Sequence, residues 1–202
     1  MGAVDLEDID LNGATVIYDN AFSGCLLLET VSGLSSVTSI GAGAFYNCRS
    51  LDDIKLNSKL KVINPRTFQD CRSLSGIKIP STVTSIGNNA FSTCTSLYDV
   101  TIPSTVASIG SDAFNSCINL TRVKVSGSVT TVDDGAFENC PKLKIICYKG
   151  SAAETYAIEN MIDYESLTAI IDSIIIGTGP AGLSAALNLK IYKKDFLWFG
   201  SE

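Results

Sequence analysis

A phenylalanine recurs every 23 residues, six times without a slip: Phe22, Phe45, Phe68, Phe91, Phe114 and Phe137. Six cysteines keep the same step at Cys25, Cys48, Cys71, Cys94, Cys117 and Cys140. Leu28, Leu51, Leu74, Leu97, Leu120 and Leu143 keep it too. A fixed period in the twenties is the mark of a solenoid, whose coils bury their apolar faces only against one another. Such proteins work chiefly by presenting a surface, so the repeat weighs against an enclosed catalytic site.

Each coil has a readable internal order. Leu97, Val100 and Ile102 alternate as a short strand does, and Leu51/Ile54/Leu56, Leu74/Ile77/Ile79 and Leu120/Val123/Val125 match them. Leu6/Ile9/Leu11 opens the series one residue out of phase, and Leu143/Ile146/Tyr148 closes it. Seven short parallel strands are expected. Pro80 and Pro103 follow their strands directly, where a missing N–H ends a ladder at little cost. Gly41, Gly87 and Gly110 mark a place that needs either a positive φ or a close backbone approach, with Asn64 and Asp133 in the same position elsewhere. Ala44, Ala90, Ala113 and Ala136 precede the Phe at what reads as a tight inner corner, and Thr67 departs from them.

The chain has no histidine, which removes His-based triads, general bases and metal ligands together. The seven cysteines fit neither the paired spacing of zinc sites nor a small disulfide scaffold. They read as a ladder of buried, reduced thiols, with Cys147, off the period, as the one exposed candidate. A net charge of -6 argues against a nucleic-acid footprint. No uninterrupted apolar stretch is long enough to span a membrane, and residues 1–7 lack the pattern of a signal peptide.

The repeat I/L-P-x-x-V-x-x-I-G-x-x-A-F-x-x-C-x-x-L resembles the BspA-type leucine-rich repeat over about residues 6–164. Residues 148–157 resemble that family's closing cap. They also carry their own logic, because Ser151 and Glu154 form an S-x-x-E capping box. The helix begun there would lay Ala153, Tyr156, Ala157 and Met161 over the last coil. The resemblance implies a leucine-rich-repeat solenoid of about six 23-residue coils, located at the cell surface or secreted, that binds a host or matrix protein. A cytoplasmic location is the alternative.

Past residue 164 the period stops. An apolar run leads into Gly177-Thr-Gly-Pro-Ala-Gly182 and then an Ala-rich helical pattern continuing over 187–194, with a second strand at 195–200. Residues 171–202 resemble the opening βαβ (Rossmann-like) unit of flavin-dependent thioredoxin reductases. The resemblance implies that Gly177, Gly179 and Gly182 would cradle the FAD pyrophosphate and Glu202 the ribose. About 30 residues cannot enclose a cofactor, so no cofactor is expected to be held. These readings divide the chain into 1–14, an N-terminal strand and cap; 15–147, the solenoid; 148–164, the cap helix; and 165–202, an incomplete dinucleotide-binding fragment.

The function expected is protein binding or adhesion without catalysis. A spacer role, or a piece of a flavin-dependent disulfide oxidoreductase fused to repeats, stands as the alternative. Between the inward strand residues lies an outer face running from acidic (Glu7, Asp8, Asp10, Glu29, Asp52) to basic (Lys144). Its candidate contacts are Asp53, Lys55, Lys78, Tyr98, Asp99, Thr101, Arg122 and Lys124.

Overall fold

The computed structural model describes residues 6–168, together with the backbone of 190–191 and 195–196. The chain divides into two units, Met1–Ser166 and Leu167–Glu202. In chain order the first strands are β1 (Asp8–Asp10), β2 (Val16–Ile17), β3 (Thr30–Ser32), β4 (Ser39–Ile40), β5 (Asp53–Ile54), β6 (Val62–Ile63) and β7 (Ser85–Ile86). Then come β8 (Asp99–Ile102), β9 (Ser108–Ile109), β10 (Arg122–Val125), β11 (Thr131–Val132) and β12 (Lys144–Tyr148). Helix α1 (Ala152–Glu159) and β13 (Asp163–Leu167) complete the region.

Each coil contributes to two parallel ladders. The first runs β1-β3-β5 and then, after a break, β8-β10-β12-β13. The break falls at the coil of Leu74, Ile77 and Ile79, which are buried like their counterparts but lie in no strand. Gly76 occupies its centre, and glycine weakens strand order there. The second ladder pairs β2 with β4 and runs β6-β7-β9-β11. Its strands place Ile17, Ile40, Ile63, Ile86 and Ile109 in the core. The sequence reading expected one short strand per coil and so no second ladder.

Between the ladders the chain turns through the Phe segment. The six rings stack with centroids 5.1 to 5.6 Å apart and planes within 14°. The N–H groups of Phe22, Phe45, Phe68, Phe91 and Phe114 donate to the carbonyls of Ala44, Thr67, Ala90, Ala113 and Ala136 in the following coil at 2.7–2.9 Å. In the second ladder the direction reverses: Thr38 donates to Thr15, and Gly41 to Ile17, in the preceding coil. Gly41, Gly87 and Gly110 have no positive φ. Close approach explains them, since a Cβ at Gly87 would lie 2.6 Å from the Pro65 nitrogen. Thr67 is buried at the Ala corner and satisfies its hydroxyl on the Asn64 carbonyl at 2.7 Å.

The left-handed corners lie elsewhere, at two other columns of the coil. One holds Asn20, Gly43, Arg66, Asn89, Asp112 and Gly135; the other holds Gly24, Asn47, Asp70, Thr93, Ser116 and Asn139. Thr93 at φ 60° is the most costly member, because a β-branched side chain crowds this conformation.

At the carboxyl end α1 takes the place of another coil. Ser151 caps it by accepting from the Glu154 N–H at 3.2 Å. Glu154 reaches back to the Gly150 N–H at 2.6 Å, one residue before the usual partner in such a box. Ala153, Tyr156 and Ala157 are buried as the sequence implies. Met161 is not; it is 94% exposed. The helix ends in a Schellman turn, with Met161 N–H on Ile158 O and Ile162 N–H on Ala157 O. That turn puts Met161 at φ 55°. The Tyr156 ring meets Phe137 edge-on at 5.9 Å and 73°, and its hydroxyl accepts the Phe137 N–H at 3.1 Å. The hydroxyl thus stands where the next coil's carbonyl would be.

The thiols point back along the stack. Cys48, Cys71, Cys94, Cys117 and Cys140 each donate to the carbonyl of the Phe one coil earlier at 3.1–3.2 Å. None of the seven cysteines is in a disulfide, and burial pushes Cys48 up to about 12 and Cys71 and Cys94 upward as well. Cys147 corrects the sequence reading: it is fully buried, and burial raises it too. In the last coil Ile145 and Cys147 face inward in place of Ile146 and Tyr148, with Ile145 beside Val123. Two adjacent isoleucines left the phase open, and the strand alternates without a kink from Leu143 onward. Cys140 is the ladder thiol that is partly exposed, and the neighbouring Cys117 thiol lowers it.

In the second unit, β14 (Lys190–Ile191) pairs antiparallel with β15 (Asp195–Phe196). The helix expected over 187–194 is therefore not continuous. Isoleucine and phenylalanine both favour strand geometry.

Three outcomes follow for stability and thiol chemistry. Tyr156→Phe keeps the ring but orphans the buried Phe137 N–H, so urea melts should show a loss of about 1–3 kcal/mol. Thr93→Asn, matching Asn47 and Asn139, should gain about 1 kcal/mol in the same assay. Brief maleimide treatment of native protein, mapped by mass spectrometry, should modify Cys140 first and leave Cys147 untouched.

Candidate functional site

The first ladder sets its outward side chains in three columns, with neighbours about 4.8 Å apart along the stack. One column reads Glu29, Asp52, Ser75, Tyr98, Thr121; the middle reads Thr30, Asp53, Gly76, Asp99, Arg122; the third reads Ser32, Lys55, Lys78, Thr101, Lys124. Strand pairing fixes this register, with Asp53 beside Thr30, Arg122 beside Asp99 and Lys124 beside Thr101.

All eight sequence candidates lie on this face. Asp53, Lys55, Lys78, Thr101, Arg122 and Lys124 are exposed, and Asp99 is half-buried. Tyr98 is 61% exposed, a large aromatic whose backbone is bonded to both neighbouring coils, its N–H donating to the Ser75 carbonyl at 3.3 Å and its own carbonyl accepting from Thr121 N–H at 2.9 Å. Asp99 and Arg122 are not independent contacts. The Arg122 Nε donates to Asp99 Oδ2 at 2.6 Å, and a second guanidinium nitrogen reaches the same oxygen. Lys144 is likewise engaged, 3.6 Å from Glu165 of β13. Exposed pairs of this kind contribute at most about 1 kcal/mol each, but they cancel charge locally. Glu165 was missed in the sequence because β13 carries no repeat signal.

At the acidic end hydroxyls serve the carboxylates: Thr30 donates to Asp8, and Ser75 to Asp52 at 3.1 Å. An open groove of about 590 Å3 lies where Asp53, Lys55, Val31, Leu34 and Asn57 meet. Among the described residues no group of three or more Cys, Asp or Glu is arranged to hold a metal, and no helix is long and apolar enough to cross a membrane. Gly177, Gly179, Gly182 and Glu202, the residues assigned to FAD, lie outside the described residues.

The BspA type leucine rich repeat region model matches six copies over residues 15–144, and that match does not extend to the G-x-G-x-x-G segment. No curated protein shows a detectable match. Among solved structures, the T. pallidum leucine rich repeat protein (TpLRR) is 32% identical with a TM-score of 0.64, over 81% of this chain and 84% of that one. A leucine-rich repeat protein from Bacteroides ovatus ATCC 8483 is 29% identical with a TM-score of 0.67; 81% of this chain spans 45% of that one. The pneumococcal vaccine antigen PcpA, at 16% identity and a TM-score of 0.63, shares the fold over 80% of this chain and 41% of its own. With a family model covering more than half of its length, the chain belongs to the BspA-type leucine-rich repeat family.

Proposed function

We propose that this protein is a binding or adhesion module at the cell surface, without catalysis, and that the first-ladder face is where a protein ligand docks. Members of the family commonly serve in protein binding or adhesion, which supports the general reading. What carries the specific one is Tyr98: an aromatic 61% exposed just before β8, beside the break in the first ladder, with its backbone bonded to the coils on both sides. Large aromatics on rigid surfaces are the residues that most often dominate binding energy. The neighbouring Lys78, Thr101 and Lys124 would supply polar contacts around it.

The test uses a host-cell matrix preparation immobilised on a sensor surface. Saturable binding of the purified protein should fall by about tenfold or more, roughly 1.4 kcal/mol, on Tyr98→Ala. Tyr18→Ala, at an exposed aromatic on the second ladder, should leave it unchanged. Equal losses for both variants would move the site off this face.

A further inference from the structure

The charges on the face are not arranged simply from one end to the other. Six carboxylates crowd the first three coils: Glu7, Asp8, Asp10, Glu29, Asp52 and Asp53. Farther along, the cations divide into two kinds. Arg122 and Lys144 are held by Asp99 and Glu165. Lys55, Lys78 and Lys124 share the third column, with no carboxylate within 4 Å of them among the described residues.

Lys55 and Lys78 are direct neighbours in that column, one coil apart. Neither lies in a strand, since β5 ends at Ile54 and the Lys78 coil has none in the first ladder, but like charges on neighbouring coils still repel. In a chain of net charge -6, keeping such a pair uncompensated is a cost that an anion laid along the column would remove. The Thr101 hydroxyl sits between Lys78 and Lys124, and Tyr98 borders the same stretch.

From this arrangement we infer that the partner is a protein segment of mixed charge: an acidic stretch along Lys55, Lys78 and Lys124, continuous with a basic stretch over the first three coils. The inference rests on the binding role proposed above and names the chemistry of its ligand. A long uniform polyanion fits poorly, because extending past Lys55 brings it onto the six carboxylates. Lys55 shares the third coil with Asp52 and Asp53, so the two regions adjoin. The coils of Asp10 and Lys124 lie about 24 Å apart, beyond the screening length of about 8 Å in physiological salt, so each end of a ligand senses its own region.

Two labelled peptides of identical composition serve as probes, one with four glutamates, two glycines and four lysines in blocks, the other with those residues alternating. Fluorescence anisotropy should show the block peptide binding at least fivefold more tightly, with affinity falling as salt rises. The double variant K78E/K124E should weaken the block peptide at least tenfold. K59E/K61E, the same charge change on exposed lysines away from the column, should weaken it less than threefold. Equal affinity for both peptides, or equal losses in both variants, overturns the inference. Stronger binding of a sulfated polysaccharide than of the block peptide also overturns it, in favour of a carbohydrate ligand. Matrix binding that remains Tyr98-dependent in K78E/K124E would leave the docking face standing while the charge assignment falls.

Discussion

The contact from one Phe turn to the next sets the spacing of everything else. Each ring stacks on its neighbour while the same residue's N–H reaches the following coil. Rings 5.1 to 5.6 Å apart are compatible with ladder neighbours about 4.8 Å apart, so aromatic packing and hydrogen bonding agree on one pitch. The Ala corner follows from this, because Ala44, Ala90, Ala113 and Ala136 must let the carbonyl through beside a ring. So does the thiol column, which hangs from the same Phe carbonyls.

Because the pitch is set in the core, the outer face inherits it. Thr101 and Lys124 hold their interval regardless of their own chemistry, since Val100 and Val123 are fixed inside. Surface residues can therefore change with little consequence for the fold, whereas a shift of one residue inside re-aims a whole row. The last coil shows such a shift: moving Ile145 inward buried Cys147 and brought Ile146 partly outward.

Much of this was legible in the sequence because a repeat averages its own noise. The position of Phe91 is supported by five others, and the strand residue Val100 by its counterparts. The repeat overstated one strand, at Leu74, Ile77 and Ile79, where Gly76 interrupts it, and two further failed readings were made on single copies. Cys147 and Met161 had no second instance to constrain them, and each was decided by local geometry: a strand that lost its kink, and a helix that ended in a left-handed turn. The glycines at 41, 87 and 110 left two explanations open, since a missing Cβ serves either, and only coil-to-coil distance separates them. On the face, the eight candidate residues were placed by alternation alone. The neutralisation of Arg122 and Lys144 was not visible, because it depends on which strands adjoin and on an unrepeated β13.

The opposed hydrogen-bond directions in the Phe turns and the second ladder have an electrical consequence. In an α-helix all peptide dipoles point one way and leave a partial charge at each end. Here one wall of each coil sends its N–H groups forward and another sends them back, so their dipoles largely cancel. Adding coils lengthens the stack without building up a field along it. A terminating element then has to satisfy donors and acceptors side by side, not one charge sign. A phenol suits that task, since the Tyr156 oxygen both accepts and carries a proton to give.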